Sequence, residues 1–137
     1  MKKVLLILAC GIAAQLSYAQ APPKWAGKAK KAVFSIVTYD KDNKIKNTGN
    51  GFYINENGTA LSDYTLFEGA ERAVIINADS KELPVLRILG ANSMYDIVKF
   101  NTETDKKTIA LKSASQPASV GETVYLLPYS TQKAATC

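Results

Sequence analysis

The amino-acid sequence predicts an all-β protein in which six short strands form an antiparallel barrel. Short segments rich in β-branched and aromatic residues recur along the chain, and polar or glycine-containing turns separate them. After residue 31, a single short segment has the character of a helix. This pattern favours a barrel or a sandwich, and we predict a barrel because closure leaves the sheet without an unpaired edge.

The first 19 residues have the pattern of a secretory signal peptide. Two lysines after Met1 precede an apolar run over residues 4–16, and Ser17-Tyr18-Ala19 supplies the small-x-small pattern of a cleavage site. We therefore expect an exported protein, either periplasmic or secreted. A second interpretation makes Ile7-Leu8-Ala9-Cys10 a lipobox, with Cys10 as the lipidated residue of a lipoprotein.

Residues 20–31 are predicted to be a basic linker that ends in one short helical turn, with Trp25 as an anchor. No segment approaches the ~20 apolar residues that a transmembrane helix requires, so we expect no transmembrane segment. The chain has 17 Lys+Arg against 12 Asp+Glu, and most of its positive residues are scattered. This mild excess favours solubility over nucleic-acid binding, and we expect no nucleic-acid partner.

The content of histidine and cysteine bears on site chemistry. The chain has no histidine and two cysteines, so it offers no zinc-binding set, and we expect no metal and no cofactor. Cleavage after Ala19 would leave Cys137 as the single cysteine. An odd cysteine in an exported protein indicates either a partner outside this sequence or a free thiol at the end of the chain.

The first three strands are predicted around two polar turns. Val33–Tyr39 is β-branched and aromatic, and the polar residues Asp40–Lys44 form the turn after it. Gly51–Ile54 is the second strand. Asn57-Gly58 suits the positive φ of a tight hairpin, from which the chain returns as Thr59–Leu61.

A short helical corner is predicted at Leu66–Ala70, and residues 90–93 are predicted to be a loop between the last two strands. The three strands after the corner are predicted at Ala73–Ile76, Leu83–Leu89 and Asp96–Phe100. The barrel as a whole is assigned to residues 32–130.

Three motifs carry a resemblance to a known family. They are the G-x-G-F-x-I-x-x-x-G pattern from Gly49 to Gly58, the corner from Leu61 to Ala70 that ends in Glu-Gly-Ala, and Asp96-Ile97-Val98. Together and in this order they resemble the first barrel of trypsin-like serine proteases of the HtrA/Deg type. The resemblance covers Val33 to Tyr129, and it implies that residues 131–137 begin a link to a second barrel that this sequence does not include.

The resemblance also assigns positions in the catalytic triad. Thr65 falls on the position of the catalytic histidine, and Asp96 falls on that of the triad aspartate. A threonine hydroxyl cannot act as the base, because it neither titrates near neutral pH nor stores a proton between the two half-reactions. The family's serine lies on the second barrel, so the resemblance implies that this chain lacks both the base and the nucleophile.

Asp96 and Thr65 each have a structural interpretation beside the catalytic one. An aspartate at the start of a strand commonly accepts backbone N–H groups from a neighbouring turn, and we favour this role for Asp96. Thr65 would then be a small β-branched side chain that fills the corner.

The sequence therefore supports three hypotheses about function. The first is an exported domain of the trypsin-like serine peptidase family that is catalytically inactive and binds a peptide or protein ligand as a pseudoprotease. The second is a truncated peptidase whose missing second barrel would follow in cis. The alternative to both is a small secreted β-barrel binding module without peptidase ancestry.

Overall fold

The computed structural model describes residues 23–127 and residue 129, and most of its regular structure is β. Two short helices are present, α1 at Ala26–Lys30 and α2 at Tyr64–Phe67. The strands are β1 Val33–Tyr39, β2 Ile45–Tyr53, β3 Thr59–Ser62, β4 Arg72–Ile76, β5 Glu82–Asn92 and β6 Ile97–Thr102.

The six strands form a closed barrel in the order β1-β2-β3-β6-β5-β4, and every neighbouring pair is antiparallel. The predicted six-stranded antiparallel barrel is therefore confirmed. Closure depends on β1, which pairs with β2 along one edge and with β4 along the other.

Several sequence-based expectations fall outside the described part of the chain. They concern the signal peptide at residues 1–19, the lipobox cysteine Cys10, the link at residues 131–137 and Cys137. Helix α1 lies within the predicted basic linker. Among the residues that the structure describes, no helix has the length and apolar character needed to cross a membrane.

Aromatic side chains fill the barrel interior. The ring of Phe34 on β1 lies 4.8 Å from that of Tyr53 and 6.3 Å from that of Phe100, measured between centroids. Strand β1 alternates between buried and half-buried residues, which places Phe34, Ile36 and Thr38 in the interior. This period-2 pattern is the reason that the segment forms a strand with one face in the core.

Gly51 on β2 allows Phe34 to occupy this position. A Cβ atom on Gly51 would lie 2.6 Å from Phe34 Cε2 and 2.8 Å from the Leu61 carbonyl oxygen. Both distances are far below van der Waals contact, and the second neighbour is backbone, which cannot rotate away.

Three turns between strands share one local geometry. In each, the side-chain oxygen of the first residue accepts the backbone N–H groups of the second and fourth residues that follow, and the third has a positive φ. The first residues are Asp40, Asn55 and Asn77, and the residues with positive φ are Asn43, Gly58 and Ser80. These side chains replace the backbone partners that a turn lacks, which explains the preference for Asp and Asn.

Strand boundaries differ from the sequence-based prediction in several places, mainly in β2, β5 and β6. Strand β2 begins at Ile45 instead of Gly51, because residues 45–50 pair with β1. Strand β5 continues through Asn92, so most of the predicted loop at residues 90–93 is strand. The pairing of β5 with β6 contains two register shifts. These irregularities allow β5 to remain paired on both sides of Gly90. Strand β6 begins at Ile97, one residue later than predicted.

The antiparallel register defines two ends of the barrel. The turns that begin at Asn55 and Asn77 lie at one end, which we call the turn end. Helix α2 and the connection from β5 to β6 lie at the other, which we call the corner end.

Replacing Gly51 with alanine should destabilise the barrel, because the new methyl group collides with Phe34 and with the Leu61 carbonyl group. We expect Gly51→Ala to lower the free energy of unfolding by about 1–3 kcal/mol in urea denaturation. Gly27→Ala is the matched control, since no atom lies within 4 Å of the Cβ position at Gly27 in α1. An equal loss of stability in both variants would contradict this account.

Candidate functional site at the corner end

Helix α2 presents Thr65 to solvent because its other three side chains face the core. Tyr64, Leu66 and Phe67 pack against the buried cluster, and the ring of Phe67 lies 5.1 Å from that of Phe100. Thr65 is exposed. The interpretation of Thr65 as a side chain that fills the corner is therefore wrong.

Asp96 contacts helix α2 through three hydrogen bonds. Its carboxylate oxygen Oδ1 accepts the Thr65 hydroxyl at 2.6 Å and the Thr65 backbone N–H at 2.7 Å. Its carbonyl oxygen accepts the Tyr64 backbone N–H at 3.2 Å. Asp63, the residue before the helix, makes no capping bond with its own side chain, so the Asp96 carboxylate satisfies an N–H group of the first turn in its place.

The backbone of Asp96 has a φ of 51°, in the left-handed region that few non-glycine residues adopt. Aspartate tolerates this region better than most side chains do. The hydrogen bonds from Thr65 to the carboxylate lower the pKa of Asp96, the side-chain bond being the largest contribution. Asp96 is therefore an ionised acceptor at neutral pH, held by its contacts with Thr65.

An open groove of about 420 Å³ reaches the corner end of the barrel, and neither Thr65 nor Asp96 lines it. Ser62, Asp63 and Ile97, which neighbour Thr65 or Asp96 in the sequence, line it at the corner end. Leu111 and Tyr125 from the segment after the barrel form another part of its wall. Its lining is mainly apolar and includes Asp63, so the groove offers apolar contacts next to one carboxylate.

The strands β5 and β6 and their connection expose a run of large apolar side chains, which we call the apolar hairpin. It consists of Leu86, Ile88, Leu89, Met94, Tyr95 and Ile97. Met94 and Tyr95 are 85% and 71% exposed, and they come immediately before Asp96 in the sequence. Ile97 belongs both to this hairpin and to the groove, so the two surfaces are continuous.

Thr65 and Asp96, which the sequence motifs indicated, are in direct contact although 31 residues separate them in the sequence. Asn47 was not indicated by any motif, and its side-chain amide donates to the Leu66 carbonyl at 3.3 Å and holds α2 against β2. No local pattern marks this residue, since its partner lies 19 positions away.

Fold comparison identifies the class of architecture. The closed barrel is similar in fold to part of an HtrA-type protease. The chain matches no protein-family model and no curated protein sequence.

One similar solved structure is described as the HtrA-type protease AlgW with a tripeptide. It has 17% sequence identity to this chain at a TM-score of 0.56, and the match covers 63% of this chain and 27% of that chain. The chain thus spans little more than a quarter of that relative, and at this identity the likeness concerns the fold alone.

Replacing Thr65 with valine should raise the pKa of Asp96, because the variant loses the side-chain hydrogen bond that contributes most to the lowered pKa. The backbone bond from residue 65 can remain. NMR titration of the Asp96 carboxyl carbon measures this change directly. Thr48→Val is the matched control, since Thr48 is an exposed threonine on β2. An unchanged pKa in Thr65→Val would contradict the assigned contact.

The lowered pKa of Asp96 also sets the direction in which pH changes the stability of the protein. Folding lowers the pKa of Asp96, so its stabilising contribution is present above the unfolded pKa of about 3.9 and is lost as pH falls through the folded pKa. We expect Asp96→Asn to be less stable than the wild type at neutral pH, and the difference to shrink in acid. A constant difference between pH 7 and pH 2 in urea denaturation would contradict this expectation.

Proposed function

We propose that this protein is an exported, trypsin-like barrel that does not catalyse peptide hydrolysis and instead binds a peptide or protein ligand. The observation that carries the proposal is the 2.6 Å hydrogen bond from the Thr65 hydroxyl to the Asp96 carboxylate. By the family resemblance, these residues occupy the positions of the catalytic histidine and of the aspartate that orients it. Export rests on the signal-peptide pattern of residues 1–19.

The chemistry of the pair explains why we propose loss of catalysis. In a serine protease, the imidazole accepts the proton of the nucleophile and later returns it to the leaving group. The Thr65 hydroxyl donates a hydrogen bond to Asp96, and a hydroxyl of this kind does not titrate near neutral pH. The 137 residues contain no histidine, so no other residue of this sequence offers an imidazole.

The proposed binding role rests on the surface beside the pair. Large apolar patches exposed on a soluble domain commonly mark interaction sites. Here the apolar hairpin continues into the groove through Ile97. A peptide or protein with apolar side chains would cover surface that is otherwise in contact with water, which is the main favourable term in association.

Treatment with a fluorophosphonate probe tests the loss of catalysis. Such probes modify a serine whose hydroxyl is activated by a neighbouring base, so we expect no labelling of the purified protein. Active trypsin in the same reaction is the positive control, and a fluorogenic peptide library measures hydrolysis independently. Stoichiometric labelling together with hydrolysis would overturn the non-catalytic assignment.

Selection from a phage-displayed random peptide library tests the binding role. We expect enriched peptides to bind the wild type and to bind the double variant Leu86→Ser, Met94→Ser about tenfold or more weakly, because two apolar contacts are lost. Ile45→Ser is the control, since Ile45 is as exposed as Leu86, at 63% against 62%, but lies on β2. Absence of enrichment, or equal loss in the control, would contradict a ligand-binding role for the hairpin.

A further inference from the structure

Strand β5 has one edge that is paired along only part of its length. Strand β4 pairs with residues 82–84 of β5, and among the strands that the structure describes only β6 pairs with residues 85–92. No backbone hydrogen bond from a described turn or loop reaches these residues either. Because backbone groups alternate in direction along a strand, about half of the N–H and C=O groups of residues 85–92 point away from β6. We call this side of residues 85–92 the free edge of β5.

The free edge begins where β4 and β5 separate. Arg72 and Ala73 would continue the register, but they pair with β1 and not with β5. The Arg72 guanidinium lies 3.6 Å from the centre of the Tyr39 ring on β1, and its Nε donates to the Asn43 side chain. These contacts hold the start of β4 against β1, and a cleft of about 200 Å³ opens between β4 and β5.

The free edge is open to solvent. Residues 86–92 are all exposed, and no atom lies within 4 Å of the Cβ position at Gly90. Charged side chains, proline and bulges commonly protect such edges from pairing with other chains. Residues 85–92 contain no proline and one charged residue, Arg87, and the register shifts with β6 are their other irregularity. An extended segment of another chain can therefore add to this edge through backbone hydrogen bonds.

The inner face of the free edge is apolar. Val85 pairs with Thr102 and Ile88 pairs with Phe100, and both partners on β6 are buried. Since paired residues share a face of the sheet, Val85 and Ile88 lie on the side of the core. Both line the cleft, together with Phe67 of α2. A strand added here would place every second side chain over this apolar surface.

The outer face of the free edge carries positive charge. Lys99 lies between the buried residues Val98 and Phe100 on β6, so its side chain is on the outside. Arg87 pairs with Asn101, which places it on the same face and diagonal to Lys99. Within residues 23–127 and 129, neither Arg87 nor Lys99 belongs to an ion pair. Acidic side chains of an added strand would balance these charges.

The charged residues that line the cleft give the same sign. Arg72 and Arg87 are positive, and Glu71 is the negative residue beside them. One positive charge therefore remains at the cleft, which favours a ligand with negative charge at this end of the free edge as well.

We propose that the free edge of β5 binds an extended peptide segment with alternating apolar and acidic residues, which adds to the barrel as a further strand. Its backbone pairs with residues 85–92, its apolar side chains cover Val85 and Ile88, and its acidic side chains lie near Arg87 and Lys99. This inference rests on the proposed binding function of the apolar hairpin, and it adds the conformation and the charge of the ligand.

An acetylated heptapeptide amide of alternating valine and glutamate is the probe, and the same peptide with lysine in place of glutamate is its charge control. We expect the acidic peptide to bind saturably and to slow hydrogen exchange of amides in residues 85–92 about tenfold or more, because new hydrogen bonds protect them. Residues 74–76 of β4 are already paired on both sides and should not change. The lysine peptide should bind at least several-fold more weakly.

Alternate N-methylation of the acidic peptide tests strand addition directly. In an extended peptide, every second N–H group faces the neighbouring strand and the others face away. One version carries N-methyl groups at the odd-numbered residues, and a second version carries them at the even-numbered residues. We expect one version to bind about tenfold or more weakly and the other to bind like the parent peptide. Equal binding of the two versions overturns strand addition, while the phage selection decides separately whether the hairpin binds a ligand.

Charge reversal at Arg87 tests the outer face. Arg87→Glu should weaken binding of the acidic peptide about three- to tenfold and strengthen binding of the lysine peptide. The effect should shrink at about 1 M salt, which screens exposed charges. Lys28→Glu is the control, since Lys28 is an exposed lysine on α1. Equal affinities of Arg87→Glu and the wild type for both peptides would contradict the assigned charge contact.

A second copy of this chain is the competing occupant of the free edge. In sedimentation experiments without peptide we expect a monomer, whose amides in residues 85–92 exchange rapidly on the side away from β6. A dimer in which these amides are already protected would assign the edge to a second copy and overturn the proposal. So would the absence of saturable binding at millimolar concentrations of the acidic peptide.

Discussion

The pairing of β1 with both β2 and β4 is the constraint on which the other features depend. It closes the sheet, so that every strand has two neighbours. Closure also fixes an interior that Phe34 and Phe100 fill, with the ring of Phe34 packed against Gly51. Because the register is then fixed around the whole barrel, the connecting loops lie at either the corner end or the turn end.

Features that depend on local sequence could be predicted, and features that depend on distant partners could not. Strand β1 has the predicted bounds, Val33–Tyr39, because its alternation and the Asp40 turn are both local signals. The continuation of β5 through Gly90 is a tertiary effect, since residues on β6 pair with it across two register shifts. Glycine and small residues there have the composition of a loop, and pairing overrides that preference.

The candidate site at the corner end shows the same division. The family resemblance singled out Thr65 and Asp96, but their hydrogen bond requires the barrel to bring positions 31 residues apart together. The ring of Tyr53 packs against that of Phe34 on the neighbouring strand, and this contact likewise depends on the pairing of β1 with β2.

The contacts of Thr65 and Asp96 lie outside the packed interior of the barrel. Both residues are exposed, so neither contributes to the packed interior. The Asp96 carboxylate still accepts the backbone N–H of Thr65, a bond that is independent of the side chain at position 65. Helix α2 is held mainly by Tyr64, Leu66 and Phe67 on its buried side. The buried face of this short helix therefore carries its packing, and the side chain on the exposed face can change while the barrel stays intact.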